Sequence, residues 1–590
     1  MVGHQPVGHC DAGAVWLQWQ CRCRPECGCA HRRPRVHEHR RQSLVLSDSL
    51  KFHDLPRLFQ VALCLAGLFI VTAEASAAPR NVIFILTDDQ RYDEMGFLNP
   101  ILQTPHIDAM AAEGVHFRNA FVTTSLCSPS RASILTGQYM HNHGVVDNNS
   151  GVSSGARFFP EYLQEQGYQT AFFGKWHMGE AGSSHGELDR PQPGFDHWLS
   201  FAGQGHYYPV KRNGKVNTFN INGERVPQTG YITDELTDYT IDWLQRLRDD
   251  DKPFFVYLSH KAVHADFKPP RRYENLYAEA EIPVPASQAD TEENYRGKPM
   301  WVKNQRNSWH GVDFPYHSTL DVQEYKRQYH RALTAVDDSI GRIQDWLEGN
   351  DLADDTIVIL MGDNGFMFGE HGLIDKRNAY EESMRVPMLM RYPGIDEPGR
   401  TVDRIVAGID IGPTVLDIAG VDTMPPQFEG ASMLPLAQGK SLPDWRDDLL
   451  YEYYWEFNYP MTPTTFALRT ERFKLIQYHG VWDIEELYDL ENDPREMNNL
   501  IEDPQFLDVR VRMREELFKR LANNDRAHVI PYTEKWGPGA HSRNREGSPA
   551  APFPPDWLKT PEDDGLRDFM VPDRKRLQQR KAKEKQPPDQ

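Results

Sequence analysis

Cysteine is nearly absent from the body of this chain. Of the seven in 590 residues, Cys10, Cys21, Cys23, Cys27 and Cys29 crowd the first thirty, Cys64 lies in an apolar run, and Cys127 stands alone beyond it. A disulfide-built scaffold is excluded. Positive charge is also short, with 65 Lys and Arg against 85 Asp and Glu and a formal net charge of -20. Nucleic-acid binders and anionic-membrane binders need broad positive fields, so neither class fits, and an anionic substrate must be met by a local cluster of cations. Long hydrophobic runs are missing, and the mean hydropathy of -0.63 excludes a polytopic membrane protein. What is present, 39% hydrophobic, 25% charged and 11% aromatic residues, is a globular composition. Its length calls for a large domain with a smaller companion.

The apolar run Leu58 to Ala73 follows Lys51 and Arg57 and leads to Ala75-Ser76-Ala77. This is the layout of a secretory signal, residues 51–77, with cleavage near Ala77, and implies a periplasmic or extracellular protein. No small residue precedes Cys64, so no lipid anchor is expected, nor any other stable membrane anchor. Residues 1–50 are rich in Arg, His and Cys and precede the signal, which reads as a start site placed too early. A zinc arm on Cys21, Cys23, Cys27 and Cys29 is the alternative, against which the C-x-C spacing counts.

Beyond the signal, short apolar runs alternate with helical periodicity, predicting an α/β domain over 78–440 with a mostly parallel sheet between helices. Four runs read as buried strands: Val82 to Leu86, Thr170 to Phe173, Phe254 to Leu258 and Ile357 to Met361. Tyr329, Leu333, Val336, Ile340, Ile343 and Leu347 mark one apolar stripe of a helix ending at Gly349-Asn350. The stretch from about 265 to 320 is Pro-rich and aromatic without period, and reads as a long surface excursion rather than core. Strand-like segments Leu449 to Phe457, Phe466 to Thr470 and Phe473 to Tyr478, with a helix near Pro504 to Asn523, predict a smaller α+β subdomain over 441–540. Residues 541–590 read as a charged, disordered tail.

Each predicted strand runs into polar residues: Asp88-Asp89-Gln90, Lys175-Trp176-His177, Ser259-His260-Lys261 through His264, and Asp363-Asn364. Ligands of open parallel sheets bind at the carboxyl ends of the strands, so these four segments are expected on one rim. Asp88, Asp89, Asp363 and Asn364 are hard oxygen donors, and crowded carboxylates call for Ca²⁺, or less readily Mg²⁺. Arg131, Lys175, His177, Lys261, His264 and Lys376 are the local cations and proton carriers that a compact tetrahedral anion requires.

The most specific string is Cys127-Ser128-Pro129-Ser130-Arg131-Ala132-Ser133-Ile134-Leu135-Thr136-Gly137, with Pro129 suited to a first helical turn. C-x-P-S-R followed by A-S-I-L-T-G resembles the signature of the sulfatase family, whose cysteine is oxidised to formylglycine (3-oxoalanine) during export. The likeness continues through Asn81 to Asp93, Gly167 to Gly179, Pro253 to Phe267, Gly362 to Pro393 and Leu468 to Leu500. It implies an alkaline-phosphatase-like fold and a formylglycine-generating enzyme as maturation partner. It also implies a Ca²⁺ held by Asp88, Asp89, Asp363, Asn364 and the modified Cys127. By the same likeness, Arg131 stabilises the hydrated aldehyde, Lys175 and Lys376 neutralise sulfate oxygens, His177 takes the proton for elimination, and His264 protonates the leaving alcohol. Lys261 and His371 receive no role.

The expected activity is removal of sulfate from a sulfated carbohydrate, with the GEHGLIDKR and YEES segments resembling sugar sulfatases that include N-acetylglucosamine-6-sulfatases. A broad arylsulfatase is the alternative within the class. A two-metal phosphoesterase would want a Ser or Thr nucleophile and several His ligands, which the strand ends lack. A sulfated-glycan binding protein would not need a full proton-transfer and metal set.

Overall fold

The computed structural model describes residues 80–522, apart from 153–154, 181–189, 247, 314–320, 457–458 and 480–482. The expected zinc arm, signal segment and charged tail lie outside the described residues. A ten-stranded sheet organises the larger part. Its centre is the strand Asn81–Thr87, flanked in parallel by Phe254–Ser259 and Thr356–Gly362. Gln169–Gly174 and His197–Phe201 extend it in parallel on one side. Antiparallel pairs occur further out, through Thr218–Ile221 with Glu224–Pro227 at one edge and Met388–Arg391 with Val115–Phe117 towards the other. The sheet is therefore mixed, with the parallel strands predicted from sequence at its centre.

Both faces of the sheet are covered. Val82, Phe84 and Leu86 enter one apolar core, and Ile83 and Ile85 enter another. This explains why the strand reads as an unbroken apolar run rather than an alternation. The long helix Val322–Gly349 covers the second face, its predicted stripe buried from Tyr329 to Leu347. Each such Leu or Ile contributes about 1.5–3 kcal/mol of burial. Asp321 starts this helix by accepting from the backbone N–H groups of Gln323 and Glu324.

A four-stranded antiparallel sheet, Asp448–Tyr453, Thr464–Thr470, Phe473–His479 and Glu486–Asp489, carries the helix Leu507–Ala522 through Met513 and Leu517. Among the described residues no helix is long and apolar enough to cross a membrane.

The excursion after 265 departs from its expected surface character. Its described part folds as short turns such as Glu292–Tyr295 and Met300–Asn304, and buries Trp301, Val302, Gln305, Arg306 and His310. Trp301 packs on Tyr478 of the four-stranded sheet, with ring centroids 5.4 Å apart. Helices of four or five residues have no period to read, and partners distant in sequence supply the burial.

Candidate active site

Strand register brings the site together. Leu86 pairs with Ser259, Thr87 with Gly362 and Gly174 with Ser259, so the residues that follow leave the sheet at one level. Backbone bonds hold the exits in place: Asp88 N–H donates to Ala262 O at 2.9 Å, Asp363 N–H to Thr87 O at 2.8 Å, and Lys175 N–H to Ser259 O at 2.8 Å. Three groups on different strands are thereby positioned by main chain rather than by side-chain choice.

Cys127 opens the helix Cys127–Thr136, every residue of which is buried. The helix stops at Gly137, whose φ of 66° is left-handed, and a Cβ there would sit 2.1 Å from the Phe428 ring. Cys127 Sγ lies 3.6 Å from Asp88 Oδ1 and accepts from Lys376 Nζ at 3.2 Å. Burial pushes the thiol up to about 12 despite the pull of Lys175 and Lys376, so the unmodified side chain is neutral.

The carboxylates are unequal. Burial raises Asp88, yet Lys175 and Arg131 together hold it well below the usual range, and Lys175 makes a direct contact. Burial carries Asp89 up to about 7, Lys376 pulling it down while Asp88 and Asp363 push it further up. Asp89 itself has a φ of 60°, and its main chain is clamped by Tyr329, whose hydroxyl donates to Asp89 O at 3.0 Å. Asp363 accepts from Asp89 N–H at 3.0 Å and from Arg131 Nε at 2.9 Å. Asn364 donates to Asp89 Oδ1 at 2.7 Å.

Two buried oxygens in this cluster, Asp89 Oδ2 and Asn364 Oδ1, have no hydrogen-bond partner. Ligand atoms of Asp88, Asp89, Cys127 and His264 lie within 4.8 Å of one another. Orphaned carboxylate and amide oxygens at one point fit a hard cation. His264 joins this group, where the sequence expects a proton carrier rather than a metal ligand.

Around it stand the expected cations and proton carriers. Arg131 donates to Lys175 O at 2.8 Å and Ser259 Oγ at 2.6 Å, so its guanidinium is fixed from two strands. His177, at φ 57°, lies 3.3 Å from Ser128 Oγ through Nδ1 and 3.1 Å from Gln204 Nε2 through Nε2. His264 Nδ1 lies 2.6 Å from Ala265 O, leaving Nε2 turned to Asp89 at 3.9 Å. Burial holds both imidazoles well below their ordinary value, with Lys175 adding to the effect at His177 and Asp88 opposing it at His264. Each is therefore neutral at pH 7, and because Ala265 O can only accept, the proton of His264 sits on Nδ1 and its Nε2 is a site that takes one.

Sequence reasoning placed Asp88, Asp89, Cys127, Arg131, Lys175, His177, His264, Asp363, Asn364 and Lys376 together, and the structure unites them. Lys261 lies at the edge, its ammonium 4.7 Å from the Tyr207 ring centroid. His371 belongs elsewhere, packed on Tyr380 with ring centroids 4.4 Å apart. Ser259, the first polar residue after the third predicted strand, also lies here. Missed were Ser128, Gln204 and Tyr329. They depend on contacts 27 or more residues distant, such as Gln204 with His177.

Known proteins resemble this chain throughout that region. Residues 80–421 match the family described as "Sulfatase", and 369–523 match "N-sulphoglucosamine sulphohydrolase, C-terminal". An N-acetylglucosamine-6-O-sulfatase of Bacteroides thetaiotaomicron is 33% identical, covering 79% of this chain and 90% of that protein. The N-acetylglucosamine-6-sulfatase of Homo sapiens is also 33% identical, covering 69% of this chain and 73% of that one. A solved structure of a protein in complex with its substrate D-glucosamine-2-N,6-O-disulfate is 31% identical with a TM-score of 0.68, covering 76% of this chain and 99% of that one.

Proposed function

The chain belongs to the sulfatase family and is a sulfuric ester hydrolase, and from that premise we propose that it removes the 6-O-sulfate of a glucosamine-type sugar. The observation that carries the chemistry is Cys127 at a helix start, between Asp88 at 3.6 Å and Lys376 at 3.2 Å. Oxidised to formylglycine by a maturation enzyme and hydrated, this residue offers two hydroxyls. One attacks the ester sulfur in line, and the other loses its proton as sulfate departs and the aldehyde returns.

A Ca²⁺ suits the oxygens of Asp88, Asp89, Asp363 and Asn364, and when bound it supplies Lewis-acid stabilisation of charge on the sulfuryl oxygens. The remaining work falls to side chains. Lys175 and Lys376 neutralise sulfate oxygens, and Arg131 orients the hydrated residue. His264, whose Nδ1 proton is committed to Ala265 O, delivers a proton from Nε2 to the departing sugar alkoxide once the anionic substrate has favoured its doubly protonated form, and His177 takes the proton released on elimination. The two imidazoles are separately anchored, His264 by Ala265 O and His177 by Ser128 and Gln204, which keeps the roles apart.

The wall beside Lys376 suits a sugar. Asp375 and Arg377 flank it with φ of 87° and 80°, a backbone strain that burial and ion pairing sustain. His310 Nε2 lies 3.1 Å from Asp375, while Arg377 contacts Asp375 directly, reaches Glu456 at 2.7 Å and stacks on Tyr459 at 4.0 Å. An acceptor and a donor locked side by side next to the sulfate pocket can read neighbouring hydroxyls of one ring. The signal-like segment before Ala77 supports action outside the cytoplasm.

The test uses protein made together with a formylglycine-generating enzyme. Sulfate release from N-acetylglucosamine 6-sulfate, with little from galactose 6-sulfate or glucosamine N-sulfate, is the expected result. Release from galactose 6-sulfate at equal kcat/KM overturns the sugar assignment.

A further inference from the structure

One stretch of this acidic chain, joined to the active site through Tyr207 and His264, carries cations without acids. Between Asp196 and Glu224 there is no acidic residue, yet His206, Lys211, Arg212 and Lys215 all occur there. Three of them sit on a hairpin, Lys211–Arg212 paired with Lys215–Val216 around Asn213-Gly214. Asn213 and Gly214 have φ of 51° and 77°, both positive, as the tight turns that match strand twist require. Lys211, Arg212 and Lys215 are exposed, and among the described residues none of them makes an ion pair.

This hairpin is fixed relative to the catalytic residues. Val210 N–H donates to Asn217 Oδ1 at 2.7 Å, and Gln228 N–H donates to Asn217 O at 3.0 Å, closing the hairpin base. Gln228 Nε2 then donates to His206 O at 3.1 Å and Tyr207 O at 3.3 Å. Tyr207 donates its hydroxyl to His264 O at 2.8 Å, so a run of hydrogen bonds joins the hairpin to the residue placed on the leaving-group side. Further cations stand nearby: Lys261, buried on the Tyr207 ring, and Lys268, largely exposed. His206 lies among Arg212, Lys261 and Lys268, which together with its burial lower its proton affinity. Of the acids in adjoining segments, Asp266 is 3.9 Å from Lys268 and Glu224 stands beside the turn of the next hairpin.

Three unpaired cations on a rigid turn repel one another and do nothing for a fold that the hydrogen bonds at its base already secure. We propose that the Lys211–Val216 hairpin is a binding site for anionic groups of a polyanionic glycan, engaging sugars beyond the one whose ester is cleaved. The inference rests on the sulfated-sugar reading above and adds to it the class of substrate: an oligomer with several negative charges rather than a single sugar. The hairpin draws the chain in by its field and holds it by direct pairing, and both effects weaken as salt rises.

The test is a triple variant, Lys211→Gln, Arg212→Gln and Lys215→Gln, in the full chain, compared with one in which Lys211→Arg and Lys215→Arg keep the charge. Two substrates are used: free N-acetylglucosamine 6-sulfate, and a hexasaccharide that presents the same terminal sugar followed by further sulfated units. The ratio of kcat/KM for hexasaccharide over monosaccharide is expected to fall about ten-fold in the triple variant at low salt and to stay unchanged in the arginine variant. An unchanged ratio in the triple variant overturns the proposal.

Binding of a heparin hexasaccharide, as a polyanion probe, to Cys127→Ala protein with and without the triple change decides the matter apart from turnover. About ten-fold weaker binding supports the site, and equal binding overturns it. If the wild-type protein releases no sulfate from N-acetylglucosamine 6-sulfate, the sugar assignment fails while this binding measurement still stands. Loss of phosphatidylserine vesicle binding with both glycan measurements unchanged would assign the hairpin to lipid surfaces and overturn the glycan site.

Discussion

At the ends of the central strands, Asp89 and Asn364 each leave a buried oxygen without a donor. At the seam between the large and small sheets, the equally buried Glu486 is closed on every side. Tyr478 contacts its Oε1, Tyr380 donates to Oε2 at 2.8 Å, Tyr488 contacts the same oxygen, and Lys298 stands 3.5 Å away. Beside it, Lys474 lies 3.0 Å from Glu381 and 2.6 Å from Glu496, with Arg469 3.3 Å from Glu381. Both clusters consist of carboxylates and cations out of contact with water. Glu486 completes its hydrogen bonds within the chain and ties the small sheet to Tyr380 and Lys298, while Asp89 and Asn364 keep oxygens in reserve for a ligand. Burial of charge alone therefore does not mark a catalytic site; incomplete satisfaction at converging strand ends does.

The contrast breaks if the two clusters respond alike to substitution. Cys127→Ala should lose about 10⁴-fold or more in kcat on a sugar sulfate, because nucleophile and elimination route go together. Its urea midpoint should stay at or above that of the parent protein. Sulfate release and equilibrium unfolding on the same samples decide this. A parallel loss of stability would mean that Cys127 also carries the fold.

Removing the cation should also abolish turnover, with Ca²⁺ restoring it. Elemental analysis of active protein that found stoichiometric zinc and no calcium or magnesium would overturn the ligand assignment.

His264→Ala should cost roughly 10²–10⁴-fold on a sugar sulfate, the scale of general acid catalysis, and much less on nitrophenyl sulfate, whose phenolate needs no proton. Lys376→Ala should impair both substrates by similar factors. Equal losses for His264→Ala on the two substrates would make it a sulfate-binding group.

The smallest effect on turnover belongs to the seam. Glu486→Ala strands Lys298 in the interior and should cost about 3–5 kcal/mol of stability. The folded fraction should nevertheless turn over sugar sulfate within about two-fold of the parent rate, since Glu486 touches nothing at the strand ends. A large fall in kcat with stability intact would join the two clusters into one functional unit.

This asymmetry also explains what could be read in advance. The four central strands were legible because burial on both faces makes each an apolar run, and the first polar residue after each run marks the rim. The site residues follow those runs by one to a few positions, or lie in short strings of fixed spacing such as Cys127 to Gly137. The seam was not legible. Glu381, Glu486 and Lys298 carry the same side chains as any exposed helix or turn, and they become buried only because segments some hundred or more residues apart meet. Glu486–Asp489, the fourth strand of the small sheet, was passed over for the same reason. It is four residues long, fully buried, and half polar. The excursion around Trp301 was misjudged because its turns are too short to carry a period.

Cys127 has no solvent exposure, and the helix it opens is buried along its whole length. An enzyme that must seize this side chain to oxidise it cannot do so once the ten-stranded sheet has closed around it. The proposed maturation is therefore a race between two clocks, collapse of the chain and arrival of the oxidising enzyme. A molecule that folds first is well packed, soluble and permanently inert, and no later encounter repairs it. The yield of active protein is then governed by how long the segment around Cys127 remains unfolded, so slower synthesis or a chaperone that delays closure should raise specific activity without altering a single residue.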